Sequence, residues 1–178
     1  MRANKLMPQF STRRRVGHPA DDMFDLVADI ERYPEFVPLC RAMRVMRRTQ
    51  LADREIVVAE MQVAYKLIKE SFTSRVTLIR GERTILVEYL DGPFRRMENR
   101  WTFRPLDGAG EEGGSGAAAG APAAANPPAC EVEFFISYEF RSRTLGLVMG
   151  AVFDAAFRRF ASAFESRADV VFGPARWA

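Results

Sequence analysis

Between residues 39 and 106 apolar and polar side chains alternate with a period of two. Val57, Ala59, Met61 and Val63 oppose Ile56, Val58, Glu60 and Gln62; Phe72, Ser74, Val76 and Leu78 oppose Thr73, Arg75 and Thr77. Met97, Asn99, Trp101 and Phe103 likewise oppose Glu98, Arg100 and Thr102. Such alternation predicts antiparallel strands with one face toward a core and one toward water. Arg80-Gly81-Glu82 and Asp91-Gly92-Pro93 supply turns between them. A further strand carries Val132, Phe134, Ile136, Tyr138 and Phe140 on one face. Glu131, Glu133, Ser137, Glu139 and Arg141 dominate the other, with Phe135 as the exception.

The period becomes helical near both ends. After a first strand over about Gln9–Val16, Pro19 takes a first helical position, Asp21 and Asp22 fall in the first turn, and Phe24, Val27 and Ile30 recur at helical spacing. Pro34 and Pro38 bracket Tyr33–Val37, so a second helix is a turn or two long. A long helix over about Arg143–Ala168 carries the stripe Leu145, Met149, Val152, Phe153, Ala156, Phe160, Ala163 and Phe164. Its order after five or six strands predicts an α+β domain, a curved antiparallel sheet crossed on its concave face by one long helix.

The stretch 107–128 consists mainly of Gly, Ala and Pro. It has too few large side chains to offset the entropy of ordering, which predicts a disordered hairpin insertion within a single domain spanning 1–178. Cys40 and Cys130 lie far apart with no metal or disulfide spacing and read as reduced, partly buried thiols. Met1 to Phe10 lacks the apolar run of an export signal, and Met7-Pro8 reads as a start, with Met1–Leu6 as an upstream extension. The longest uncharged stretch of the last helix, Thr144–Phe153, is half of the roughly 20 residues a spanning helix needs. These features predict a cytoplasmic protein, peripheral to the inner membrane face at most. The net charge is +3, yet the chain up to residue 54 holds eleven basic against seven acidic side chains. That bias suits anionic headgroups or RNA, and equally a solvated strand edge rich in arginine.

Several blocks together resemble one known family: Asp25-Leu26-Val27-Ala28-Asp29-Ile30-Glu31-Arg32-Tyr33-Pro34-Glu35-Phe36-Val37-Pro38-Leu39-Cys40, Glu70-Ser71-Phe72-Thr73-Ser74-Arg75-Val76, Gly92-Pro93-Phe94 with Trp101-Thr102-Phe103, and Phe164-Glu165-Ser166-Arg167-Ala168. The family is the coenzyme-Q-binding, START-like group of the polyketide cyclase-like helix-grip superfamily, which includes the bacterial ribosome-association toxin. The resemblance implies a seven-stranded antiparallel sheet wrapped around the C-terminal helix, two short helices after the first strand, and a cavity between sheet and helix. It implies a prenylquinone such as ubiquinone as bound ligand rather than catalytic cofactor, in support of respiratory electron transport, with Tyr33–Leu39 as a lid. In the toxin branch it implies contact with the large ribosomal subunit, and arginines such as Arg41, Arg44, Arg47 and Arg48 are the candidates to meet RNA phosphates in that case. The 107–128 insertion departs from the family's short hairpin.

Catalytic chemistry finds little support. His18 is the only histidine and has no partner evident in the sequence, so it reads as structural or surface-lying. Glu60, Glu98, Glu133 and Glu139 sit opposite apolar positions and read as solvated charges rather than acid/base pairs. Gly146 and Gly150 permit close packing or a bend of the last helix. The chain is therefore expected not to be an enzyme and to need no metal. The aromatic set reads in two ways, as core or as cavity lining, since ligand pockets are mainly apolar and Met adapts to flexible chains. The candidate ligand-binding residues are Phe36, Leu39, Trp101, Phe134, Tyr138, Met149, Phe153, Phe157 and Phe160. Tyr138 is the candidate donor to a quinone carbonyl.

Overall fold

The structure, a computed structural model, describes residues 8–106 and 129–175. The expectations for Met1–Leu6 and for the interior of the 107–128 insertion lie outside the described residues. Seven strands form one antiparallel sheet: β1 (Gln9–Val16), β2 (Cys40–Gln50), β3 (Glu55–Tyr65), β4 (Ile68–Ile79), β5 (Thr84–Asp91), β6 (Phe94–Leu106) and β7 (Ala129–Phe140). Their order across the sheet is β1-β7-β6-β5-β4-β3-β2, so β1 and β2 are open edges. Helix α1 (Ala20–Ala28) and a 3₁₀ turn (Ile30–Glu35) connect β1 to β2, and the long α2 (Arg143–Phe172) ends the fold.

The inward positions read from the alternation are buried or half-buried, and Thr77 and Ser137, read as outward, are buried too. Val57, Ala59, Val63, Ser74, Val76, Leu78, Met97, Asn99, Trp101, Phe103, Val132, Phe134, Ile136 and Tyr138 are all buried, while Met61, Phe72 and Phe140 are half-buried. Leu106 pairs with Ala129 as the last rung of the β6–β7 ladder, so the segment between them leaves and re-enters the sheet at one point.

Pro19 stands one position earlier than expected, as the residue capping α1, with its carbonyl accepting from Met23 N. The second helix also lies earlier, over Ile30–Glu35 with Pro34 inside it rather than bounding it. A 3₁₀ turn this short asks few backbone amides to donate, so the missing N–H of Pro34 disrupts little. Helix α2 runs one turn beyond Ala168, about 45 Å in all. Ser142 caps it, its hydroxyl accepting from Leu145 N, and it stops at Gly173, whose φ of +88° only glycine adopts readily. The last turn escaped the periodicity because Asp169, Val170, Val171 and Phe172 face solvent.

The turn at Asp91–Pro93 passes close against β4. Gly92 has φ +139°, and a Cβ there would lie 2.7 Å from Phe72 Cβ on β4, so this close approach requires glycine. Gly146 and Gly150 do not play the expected packing role. A Cβ on Gly146 would make an ordinary 3.6 Å contact with Phe140, and one on Gly150 would meet nothing within 4 Å.

Candidate functional site: an apolar cavity under the long helix

The alternation that buries one sheet face and the stripe that buries one helix face do not fill the space between them completely. A cavity of about 100 Å³ remains. Its floor is the inner face of β2–β7, including Met43, Met61, Phe72, Val76, Met97, Trp101 and Ile136. Its roof is Phe153, Ala156, Phe157, Phe160 and Phe164 of α2, and one end is closed by Ile30, Tyr33 and Val37–Leu39. Half-buried lining residues mark where it opens: Leu39, Met43, Met61 and Phe72 on one side, Phe160 of α2 on the other. On the β6–β7 side Phe94, Tyr138 and Phe153 are buried and seal it.

Of the nine residues singled out in the sequence, Leu39, Trp101, Phe134, Tyr138, Phe153, Phe157 and Phe160 line this cavity. Phe36 and Met149 do not. The Phe36 ring is held outside between Phe164 and Tyr33, with the Arg167 guanidinium over it at 5.2 Å. Met149, 1% exposed, is packed into the core. Sequence reasoning missed Met43, Met61 and Phe72 as lining, although Met61 and Phe72 stand on the inward faces it assigned to β3 and β4; Met43 lies on β2, whose period is broken by bulges. Leu39 adopts φ +66°, an uncommon conformation for a non-glycine residue, held by the bond from Ala64 N to its carbonyl.

Polar groups in the lining are few, and their commitments differ. Asn99 donates through Nδ2 to the Phe135 carbonyl at 2.9 Å and accepts from Trp101 Nε1 at 3.1 Å, so it serves the sheet. Tyr33 donates to the Val27 carbonyl, and burial pushes its phenol far above the ordinary tyrosine range. Tyr138 is loosely held: its hydroxyl lies 3.5 Å from the Gly150 carbonyl, at the limit of a hydrogen bond, and Ser74 adds a second hydroxyl to the lining. Burial, and secondarily the charge of Asp154, raises its pKa.

Charged groups gather outside the cavity. His18 is buried, with Nε2 2.7 Å from Asp169 Oδ1, a partner 151 positions away that no local pattern revealed. This pair clasps the β1–α1 connection to the end of α2. Glu60, Glu133 and Glu139 pair with Arg44, Arg13 and Arg95. Arg48 pairs with Glu31 and Glu55, and Arg14 with Glu165, so much of the basic excess in the first third is locally neutralised. Four arginines do lie on the edge strand β2. Cys40 and Cys130 are free and buried, which pushes their thiols up to about 11 and about 12. Among the described residues no three His, Cys, Asp or Glu side chains gather as a metal site, and no helix is long and apolar enough to cross a membrane.

Comparison with known proteins places this arrangement. The family model described as polyketide cyclase / dehydrase and lipid transport matches residues 16–165. The chain belongs to this family. It is 32% identical over 167 residues to the ribosome association toxin RatA of Vibrio cholerae, covering 94% of this chain and 99% of that one. It is 26% identical to the mitochondrial coenzyme Q-binding protein COQ10 homolog B of Xenopus laevis, covering 93% of this chain and 59% of that one. The solution structure of the 18 kDa protein CC1736 from Caulobacter crescentus superposes with a TM-score of 0.69 at 30% identity, covering 94% of this chain and all of that one. Family members thus include proteins named as toxins and as ligand binders. A neighbour in fold alone, the Zhui aromatase/cyclase from a Streptomyces strain, has a TM-score of 0.67 at 16% identity over 92% of this chain and 94% of that one. The START-like α+β fold, with an open seven-stranded sheet and a long C-terminal helix, is common to them.

Proposed function

We propose that this protein binds a prenylquinone, ubiquinone, under α2 and acts as its carrier or chaperone in support of respiratory electron transport, without chemical turnover. The observation that carries the reading is the cavity lining: apolar apart from Tyr33, Ser74, Asn99 and Tyr138, about half of it aromatic and methionine side chains, and without carboxylate, histidine or thiol. A lining of this kind suits burial of an isoprenoid tail, worth about 25 cal/mol per Å² of apolar surface. Tyr138 exchanges a 3.5 Å contact for a quinone carbonyl at little cost. The name of the coenzyme Q-binding relative agrees with this choice of ligand.

At about 100 Å³ the cavity is smaller than the roughly 300–1,000 Å³ of ligand pockets, so binding requires it to widen. The parts able to yield are the unbranched Met43, Met61 and Met97, the half-buried Phe160, and the segment through Leu39. Tyr33–Leu39 is then the lid, latched by Glu35 to Arg167 of α2. Mass spectrometry of organic extracts from gently purified protein, with uptake of ubiquinone from detergent micelles, tests the reading. One quinone per chain is expected, and absence of both co-purified lipid and uptake refutes it.

A second reading, a ribosome-binding regulator, is favoured by the full-length likeness to the ribosome association toxin. Arg41 and Arg47 on the β2 edge, which make no ion pair among the described residues, would then meet RNA phosphates. Sedimentation with ribosomal subunits that weakens steeply with salt supports it over the carrier.

A further inference from the structure

We infer that the end of the molecule carrying the β3–β4 turn, the β5–β6 turn and the start of α2 is a docking face for an anionic phospholipid bilayer. The inference rests on the carrier reading only for its purpose, delivery of a lipid-soluble ligand to the cavity; the face itself is argued from surface chemistry. Antiparallel pairing brings these three connections to one end of the sheet: Tyr65 pairs with Ile68, Thr73 with Asp91, and Phe94 with Phe140 just before α2 begins. From β3 to β7 this end spans four inter-strand spacings, about 19 Å.

Large aliphatic side chains stand outward there. Leu67 is 98% exposed, Leu147 84%, Val148 50% and Leu90 45%. A leucine at a hairpin tip with almost no protein contact does nothing for the fold, and four such residues at one end are not explained by packing. Cations surround them: Lys66, Lys69, Arg95, Arg96, Arg141 and Arg143, against Glu70, Asp91 and Glu139. Among the described residues only Arg95 of these cations forms an ion pair, at 3.7 Å with Glu139. Aliphatic tips within a cationic collar match the apolar interior and anionic surface of a bilayer. The cavity opens at the β3–β4 corner of this face, past Leu39, Met61 and Phe72, while Phe94, Tyr138 and Phe153 seal it beneath the β5–β6 turn and the start of α2. Two other exposed apolar groups have fewer free cations. At Val170, Val171 and Phe172 the neighbouring Arg32 and Arg167 are both paired with Glu35 and stand among Asp25, Asp29 and Asp169. Beside Met46 and Leu51, Arg44, Arg48 and Arg54 are paired with acids.

The basic first third, expected from composition to provide membrane contact, is the poorer candidate because so many of its arginines are paired with acids. The experiment is flotation of the full chain with vesicles of phosphatidylcholine alone and of phosphatidylcholine with 30% phosphatidylglycerol. Binding is expected to the anionic vesicles and to fall with salt. Leu67→Glu with Leu147→Glu should weaken it by roughly tenfold per site, Lys66→Ala by roughly fivefold, and Val170→Glu should leave it unchanged. The double variant should melt as the wild type does and still take up ubiquinone from micelles, which separates loss of docking from failure of the carrier reading. Undiminished vesicle binding by the double variant overturns the inference. So does a wild type that ignores vesicles but sediments with ribosomal particles through the same residues, which assigns this face to RNA.

Discussion

Ala156→Trp tests whether the cavity is a binding site or a packing defect. Ala156 is 5% exposed in the roof of the cavity, on the helical face that also carries Phe153, Phe157 and Phe160. At about 24 cal/mol per Å³, the 100 Å³ void represents about 2.4 kcal/mol that an apolar ligand recovers by filling it, or roughly 50-fold in affinity. An indole in the same space takes that gain and meets an overpacking cost of about 1–3 kcal/mol, so the two effects nearly cancel in stability. The melting temperature should therefore stay within about 5 °C of wild type, at about 2–4 °C per kcal/mol for a chain of this size. Ubiquinone uptake, measured as bound quinone in organic extracts, should fall by roughly 50-fold or more. Ala155→Trp, on the exposed side of the same turn, should change neither. Uptake within about threefold of wild type by folded Ala156→Trp protein would mean that the quinone binds elsewhere.

Three further outcomes follow from the packing and the charge pairs. Phe164→Ala removes a ring 2% exposed and 4.9–5.4 Å from the rings of Trp101, Phe36 and Tyr33. It should cost about 3–5 kcal/mol, a loss of about 6–20 °C in melting temperature, whereas exposed Arg159→Asp should stay within about 0.5 kcal/mol. Replacing 107–128 by a two-residue turn should leave a cooperative transition in urea, since Leu106 and Ala129 already face each other; an insoluble or non-cooperative product would refute this. Arg32, then Arg167, holds the Glu35 carboxyl below its ordinary 4.5, and Arg83 holds Asp21 below 3.8. Both contributions are complete above those values and are lost as pH falls through the lower folded ones. The urea midpoint should drop below pH 4.5, less steeply in Glu35→Gln with Asp21→Asn; identical slopes would count against the latches.

What was legible in the sequence is what burial alone dictates. Val57, Ala59 and Val63 in β3, and Val132, Phe134, Ile136 and Tyr138 in β7, announce their inner face because one side of each strand must leave water. The edge strand β2 escaped individual reading. Bulges between Cys40 and Ala42 and between Val45 and Arg47 break its period, and Met46 to Gln50 are exposed. The family likeness, not the alternation, supplied the count of seven strands. Periodicity likewise places Met149 and Phe153 both inward, yet only the second meets the void, because the crossing of α2 over the sheet is a tertiary fact. Phe36 was assigned to the ligand from its neighbours in sequence, whereas Arg167 and Phe164 claim its ring from the far end of the chain. Asp169 could not be paired with His18 for the same reason.

The rung between Leu106 and Ala129 also gives the molecule a direction. It stands beside Val16, which pairs with Cys130, at the end of the sheet where α1 begins, while Phe94 and Phe140 mark the opposite end. Cargo joined at Leu106 and Ala129 is therefore anchored at the end of the sheet opposite the face proposed to dock. A fluorophore, an affinity handle or a tether to a solid support joined at that rung starts from the end of the sheet opposite Phe94 and Phe140.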